Sequence, residues 1–208
     1  MRGNHEARPS DVPGMELVYD EDVCGEVWIE PQFPRIRYFK DWGVYTINGL
    51  RTPVIGGAYS VDKHYRLAQG WKWFENEQLS KDEMVNCQVA TRGKIFDLVL
   101  SHTCPLSFQP TDLFLRGLDQ STVDNSMEVW LERMTSNFCW EIWLFGHYHA
   151  DRVELPKVEQ FYYEIEALDN VVDRWKRYDE TGEIEWWLPV SPRMKRIMEL
   201  KSTEENEK

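Results

Sequence analysis

Two apolar runs, IFDLVLSH at 95–102 and WEIWLFGH at 140–147, each follow a segment that reads as a helix. The first segment, SKDEMVNCQVATRG at 80–93, carries a capping-box pair in Ser80 and Glu83, and Gly93 closes it just ahead of the strand. The second is expected to start at Ser121 with Asp124 and to present Val123, Met127, Trp130, Leu131 and Met134 on one face. Helix feeding buried strand, twice over, predicts an α/β fold.

Upstream, GVYTINGLRTPVIGG at 43–57 alternates as a hairpin should, with Asn48-Gly49 at its turn and Gly56-Gly57 ending the second strand. The first forty or so positions are rich in Asp, Glu and Pro and read as loop, with short strands at EVWIE and RIRYF. Downstream, VEQFYYEIE reads as a strand and ALDNVVDRWKRY as a helix with Leu168, Val172 and Trp175 on one face. A turn at Thr181-Gly182 leads into a further strand, EIEWWLP, and KSTEENEK is a solvated tail. The expected organisation is one domain over residues 1–190, followed at 191–208 by a C-terminal helix or frayed acidic tail.

Charge and composition narrow the function classes. The 208 residues include 24 Lys and Arg against 36 Asp and Glu, a net charge of −12, which excludes a nucleic-acid partner held by bulk charge. No apolar stretch approaches the roughly 20 residues needed to cross a bilayer, and the first residues lack the blocks of a signal peptide, so no membrane partner and a cytoplasmic location are expected. Cys24, Cys87, Cys104 and Cys139 are scattered without zinc-knuckle spacing and are expected to be reduced.

Histidine placement carries more information. Of five histidines, four fall in GNHE (3–6), in the SH that ends the first buried strand, and in the GHYH (146–149) that ends the second; His64 stands apart. Carboxyl ends of strands are where open α/β sheets place their sites. In extended backbone His147 and His149 would share a face while Tyr148 turns aside, and Gly146 would leave room for a ligand. Taken singly, each has a plainer reading. His102 can be a hydrogen-bonded strand end, GNHE a helix or turn start, and GHYH a strand end with two surface imidazoles. Their succession along one chain points to a metal site.

In that order the blocks GNHE, SH and GHYH resemble the last three signature blocks of the calcineurin-like metallophosphoesterase family, over residues 2 to 151. The resemblance implies a sandwich of two mixed sheets with flanking helices, holding two metal ions at one edge and hydrolysing phosphate esters. By motif position Asn4, His102 and His147 match ligands of one metal (Mn, Fe or Zn), His149 matches a ligand of the other, and His5 matches the proton donor. Paired cations orient the ester and neutralise charge as water attacks phosphorus, and neutral imidazole and amide donors leave the cations' charge intact. Glu6 and Asp151 are candidates to support the histidines from behind. Lys63, His64 and Arg66, in GGAYSVDKHYR, are candidates to reach a substrate phosphate, although a solvated helix start has the same composition. GWKWFENEQ and the 10 tryptophans suggest aromatic walls around the cleft, but such residues more often lie in the core.

The family's first two blocks, DxH and GDxxD, do not occur in the chain. The expectation is therefore a domain lacking its N-terminal strands, with ligands for one cation at most. Two readings follow: a metal-dependent phosphoesterase whose C-terminal ligands and proton donor lie here, or a non-catalytic truncated chain that needs a partner chain to complete its sheet and site.

Overall fold

The computed structural model describes residues 1–114, 120–183, 189, 190, 192 and 194–196. Its backbone forms two sheets. The smaller is an antiparallel meander of β1 (Glu16–Asp20), β2 (Gly25–Ile29) and β3 (Arg37–Phe39). The larger has six strands, β4 (Trp42–Ile47), β5 (Leu50–Ile55), β6 (Ile95–Ser101), β7 (Cys139–Phe145), β8 (Arg152–Glu154) and β9 (Val158–Gln160), in the order β4-β5-β6-β7-β9-β8. Its interior pairings β5–β6, β6–β7 and β7–β9 are parallel and its outer ones, β4–β5 and β8–β9, antiparallel.

The α/β class and a mixed sheet therefore hold. The second sheet differs from the expected mixed one, because its three short strands follow one another through connections of four and seven residues, too short for a parallel crossover.

Parallel neighbours need crossovers, which helices supply from β5 to β6 and from β6 to β7, while β7 reaches β9 by way of β8. Between β5 and β6 run α1 (Lys63–Ala68) and α2 (Lys81–Thr91), and between β6 and β7 runs α3 (Ser126–Met134). In α2 the capping box forms as expected: the Ser80 hydroxyl accepts from Glu83 N–H and the Glu83 carboxylate from Ser80 N–H. Helix α3 begins five positions after Ser121, since the Asp124 carboxylate accepts the Ser126 N–H at 2.9 Å and turns the chain there. Met127, Trp130, Leu131 and Met134 pack with Phe96, Trp143 and Phe145 in the main core. A further helix, α4 (Leu168–Thr181), packs Val171 and Trp175 against Leu98 and Ile142 in a second cluster. Val27 of the meander meets Tyr45 and Val54 in a third.

The strand expected at VEQFYYEIE stops at Gln160. Beyond it the N–H groups of Tyr162, Tyr163 and Glu164 all donate to the Asp151 carboxylate, so they are lost to any sheet ladder. The short strands β1 and β8 have no clear signature in the sequence. Most of the expected strand EIEWWLP and the 201–208 tail lie outside the described residues.

Candidate metal centre

The amino-terminal segment is fastened to the sheet by two arginines. Buried Arg2 places Nε 2.6 Å from Asp41 Oδ1 and donates from Nη2 to the Glu77 carbonyl at 3.1 Å. Arg8 reaches Asp41 Oδ2 at 3.0 Å and the capping carboxylate of Glu83 at 2.5 Å. Gly57, at φ +84, accommodates this arrangement, since a Cβ there would lie 2.2 Å from the Glu77 carbonyl oxygen. Within the GNHE turn, Glu6 accepts the Gly3 N–H at 2.8 Å. Its carboxylate thus closes the turn on itself instead of supporting a histidine.

The turn comes to rest against His102. A Cβ on Gly3 would meet the His102 ring at 3.2 Å, so the close approach depends on glycine. Asn4 then places Oδ1 2.9 Å from His102 Nε2. The other end of its amide donates to Ser60 Oγ at 2.9 Å, and Ser60 donates in turn to Glu77 Oε2 at 2.5 Å. Glu77, 2 % exposed, also accepts the Ser60 N–H at 2.9 Å. The relay from Glu77 through Ser60 fixes which way the Asn4 amide faces. Neither Ser60 nor Glu77 stands out in the sequence, because neither belongs to a periodic pattern or a motif.

The ends of the central strands align the histidines. His102 N–H donates to the Ile55 carbonyl at 2.9 Å, and Gly146 N–H donates to the His102 carbonyl at 3.0 Å. The His102 and His147 rings consequently meet edge to face, with centroids 5.1 Å apart. The extended backbone expected for GHYH does not occur: β7 ends at Phe145, and His147 and His149 adopt φ of +68° and +54°. Positive φ in two non-glycine residues is sparsely populated backbone and is enriched at functional sites. Tyr148 turns inward, its hydroxyl 3.1 Å from Thr103 Oγ1 and 3.2 Å from Gln109 Nε2. His149 stacks on Tyr162 at 4.4 Å.

His5 sits at the border of this cluster. Its Nδ1 lies 3.1 Å from Arg66 Nη1, and its Nε2 lies 3.4 Å from Asp62 Oδ1. A guanidinium only donates, so Nδ1 accepts and the neutral ring carries its proton on Nε2. Asp62 Oδ1, shielded from solvent, makes no hydrogen bond. Of the other expected residues, Lys63 lies 3.8 Å over the Trp73 ring and His64 is exposed on α1. Asp151 braces the loop after β9, as described above.

Burial, and then the proximity of His147 and Arg2, pushes the His102 imidazole down to about 3. Burial, then His149 and His5, pushes His147 down to about 4, with Asp62 opposing. Both rings are neutral at physiological pH, as metal ligation requires. At 2.9 Å the Asn4–His102 contact has hydrogen-bond length, with the amide oxygen accepting from Nε2–H. Among the described residues no three His, Cys, Asp or Glu side chains form a metal-holding group by themselves. The neutral donors brought near one another are the Asn4 amide and the His102 and His147 imidazoles, donor types suited to a borderline cation.

No protein-family model, curated protein or solved structure matches the chain.

Proposed function

We propose that this chain serves metal-dependent hydrolysis of phosphate esters, supplying ligands for one divalent transition metal and the proton donor of a centre like that of the calcineurin-like metallophosphoesterases it resembles. Asn4, His102 and His147 hold the cation, His149 borders it, and His5 donates the proton that the leaving group takes. The observation that carries this reading is the meeting of Asn4 Oδ1 with His102 Nε2 at 2.9 Å, beside the His147 ring.

When bound, the cation supplies Lewis acidity and positive charge toward a phosphoryl oxygen. The chain's own residues do the rest. Glu77 and Ser60 keep the Asn4 oxygen aimed inward. With a cation bound, His102 would ligate through Nε2 and carry its proton on Nδ1. His5 presents Nε2–H at the edge of the cluster, where a departing alkoxide can accept it. Arg66, beside His5, offers N–H donors to an anionic ester oxygen.

The test is metal analysis of the purified chain together with hydrolysis of bis-p-nitrophenyl phosphate, with and without His102→Ala. Metal-dependent turnover lost in the variant supports the reading. Metal binding without turnover favours the non-catalytic alternative, and neither binding nor turnover sinks the proposal.

A further inference from the structure

The two loops that carry the histidines after β6 and β7 are joined by a chain of hydrogen bonds that ends on α3. Glu128 of that helix is 3 % exposed, and Thr103, which follows His102, is 0 % exposed. Thr103 Oγ1 donates to Glu128 Oε1 at 2.6 Å. With its one proton so committed, Thr103 can only accept from the Tyr148 hydroxyl, 3.1 Å away. That hydroxyl accepts in turn from Gln109 Nε2 at 3.2 Å. Gln109, Tyr148, Thr103 and Glu128 therefore form a relay with one donor direction.

What the relay holds is strained backbone. The Tyr148 N–H donates to the Gly146 carbonyl at 2.8 Å, closing a γ-turn on His147 at φ +68°, and His149 beyond it lies at φ +54°. Such turns are rare around a residue with a side chain, and they persist only where the surroundings over-determine them. Tyr148, between the two imidazoles, supplies that constraint. Its ring packs against Phe114 and Phe145, with centroids 6.0 and 6.2 Å away, and its hydroxyl is held by Thr103 and Gln109. Glu128 and Thr103 are themselves buried and touch no substrate, so any effect they have on the centre passes through the histidines.

We infer that Glu128 is a positioning residue for the candidate metal centre: through Thr103 it fixes the chain beside His102, and through Tyr148 it fixes the turn that aims His147 and His149. Its effect on metal binding rests on the phosphoesterase reading, whereas its effect on the imidazoles does not, and the two are measured separately. A relay with a merely structural role would, when broken, lower stability and leave the histidines of the folded chain as they are.

The experiment compares the full wild-type chain with Glu128→Ala, Glu128→Gln, Tyr148→Phe and, as control, Arg133→Ala at an exposed position of the same helix. Zinc affinity is measured by calorimetry, and the ring nitrogens of His102 and His147 are observed by ¹⁵N NMR in chelator. Glu128→Ala and Tyr148→Phe should each weaken zinc binding about tenfold or more, as expected for groups that orient metal ligands, and should move the His147 ring signals. Glu128→Gln, whose amide oxygen can still accept from Thr103, should keep both readouts at wild type, and Arg133→Ala should change neither. The double variant of Glu128→Ala and Tyr148→Phe should bind zinc no more weakly than the worse single one, because both act through one relay. Tyr148→Phe removes a single oxygen and carries the test if Glu128→Ala does not fold. Wild-type ring signals or wild-type zinc affinity in folded Tyr148→Phe, or a Glu128→Gln as impaired as Glu128→Ala, would each overturn the proposal. If the wild-type chain binds no zinc, the metal reading falls, and the ring spectra alone support or overturn the relay.

Discussion

Asn4 Oδ1 and His102 Nε2 lie 2.9 Å apart although 98 positions separate the residues in the chain. That contact joins the amino-terminal turn to the end of β6. It depends on Gly3 having no side chain and on Ser60 holding the far end of the amide. The metal proposal rests on the same contact.

Removing the Ser60 hydroxyl should loosen it. Ser60→Ala leaves Asn4 Nδ2 and Glu77 Oε2 without their buried partner, at a cost of about 1–3 kcal/mol. Urea unfolding should show that loss, together with weaker metal binding, whereas Ser10→Ala, at an exposed position, should change neither. Wild-type metal affinity in Ser60→Ala would mean that the relay does not orient the ligand.

Metal stoichiometry is the next test. Three neutral donors should hold one Zn, Mn or Fe ion per chain. By calorimetry, Asn4→Ala and His102→Ala should each weaken binding tenfold or more, and His64→Ala should leave it intact. Two tightly held ions per chain would show that the donor set is misassigned.

Without metal, stability should depend on pH through the buried imidazoles. His102 and His147 are held down to about 3 and about 4, whereas an unfolded histidine titrates near 6.5. Between those values the unfolded chain binds protons that the folded one does not, so stability rises with pH. The contribution is complete above about 6.5 and is lost as pH falls toward 4 and then 3. Urea midpoints measured in chelator from pH 4.5 to 7.5 should climb, and replacing both histidines by Gln should flatten the climb. An equal slope in the double variant would refute this origin.

Asp151 should prove structural. Its carboxylate accepts backbone N–H groups from Tyr162, Tyr163 and Glu164. Asp151→Ala should therefore destabilise by about 1.5–3 kcal/mol, as for hydrogen bonds to a charged group, with Asp151→Asn milder because one acceptor oxygen remains. Metal affinity should not move in either. A selective loss of metal binding would restore Asp151 to a role behind the histidines.

Local order was legible in the sequence because its causes are local. The Ser80–Glu83 capping box, the Asn48-Gly49 hairpin, and the runs at 95–102 and 140–147 each declare themselves within a few residues, through hydrogen-bond reach and side-chain period. They determine an α/β fold with histidines at strand ends. Tertiary structure alone decided what those histidines meet. Strand order brings His102 beside His147, and a left-handed turn breaks the alternation expected for GHYH. Ser60 and Glu77 enter through contacts 56 and 17 positions long. Such pairings depend on which segments pack together, and no short-range pattern of apolar and polar residues encodes that.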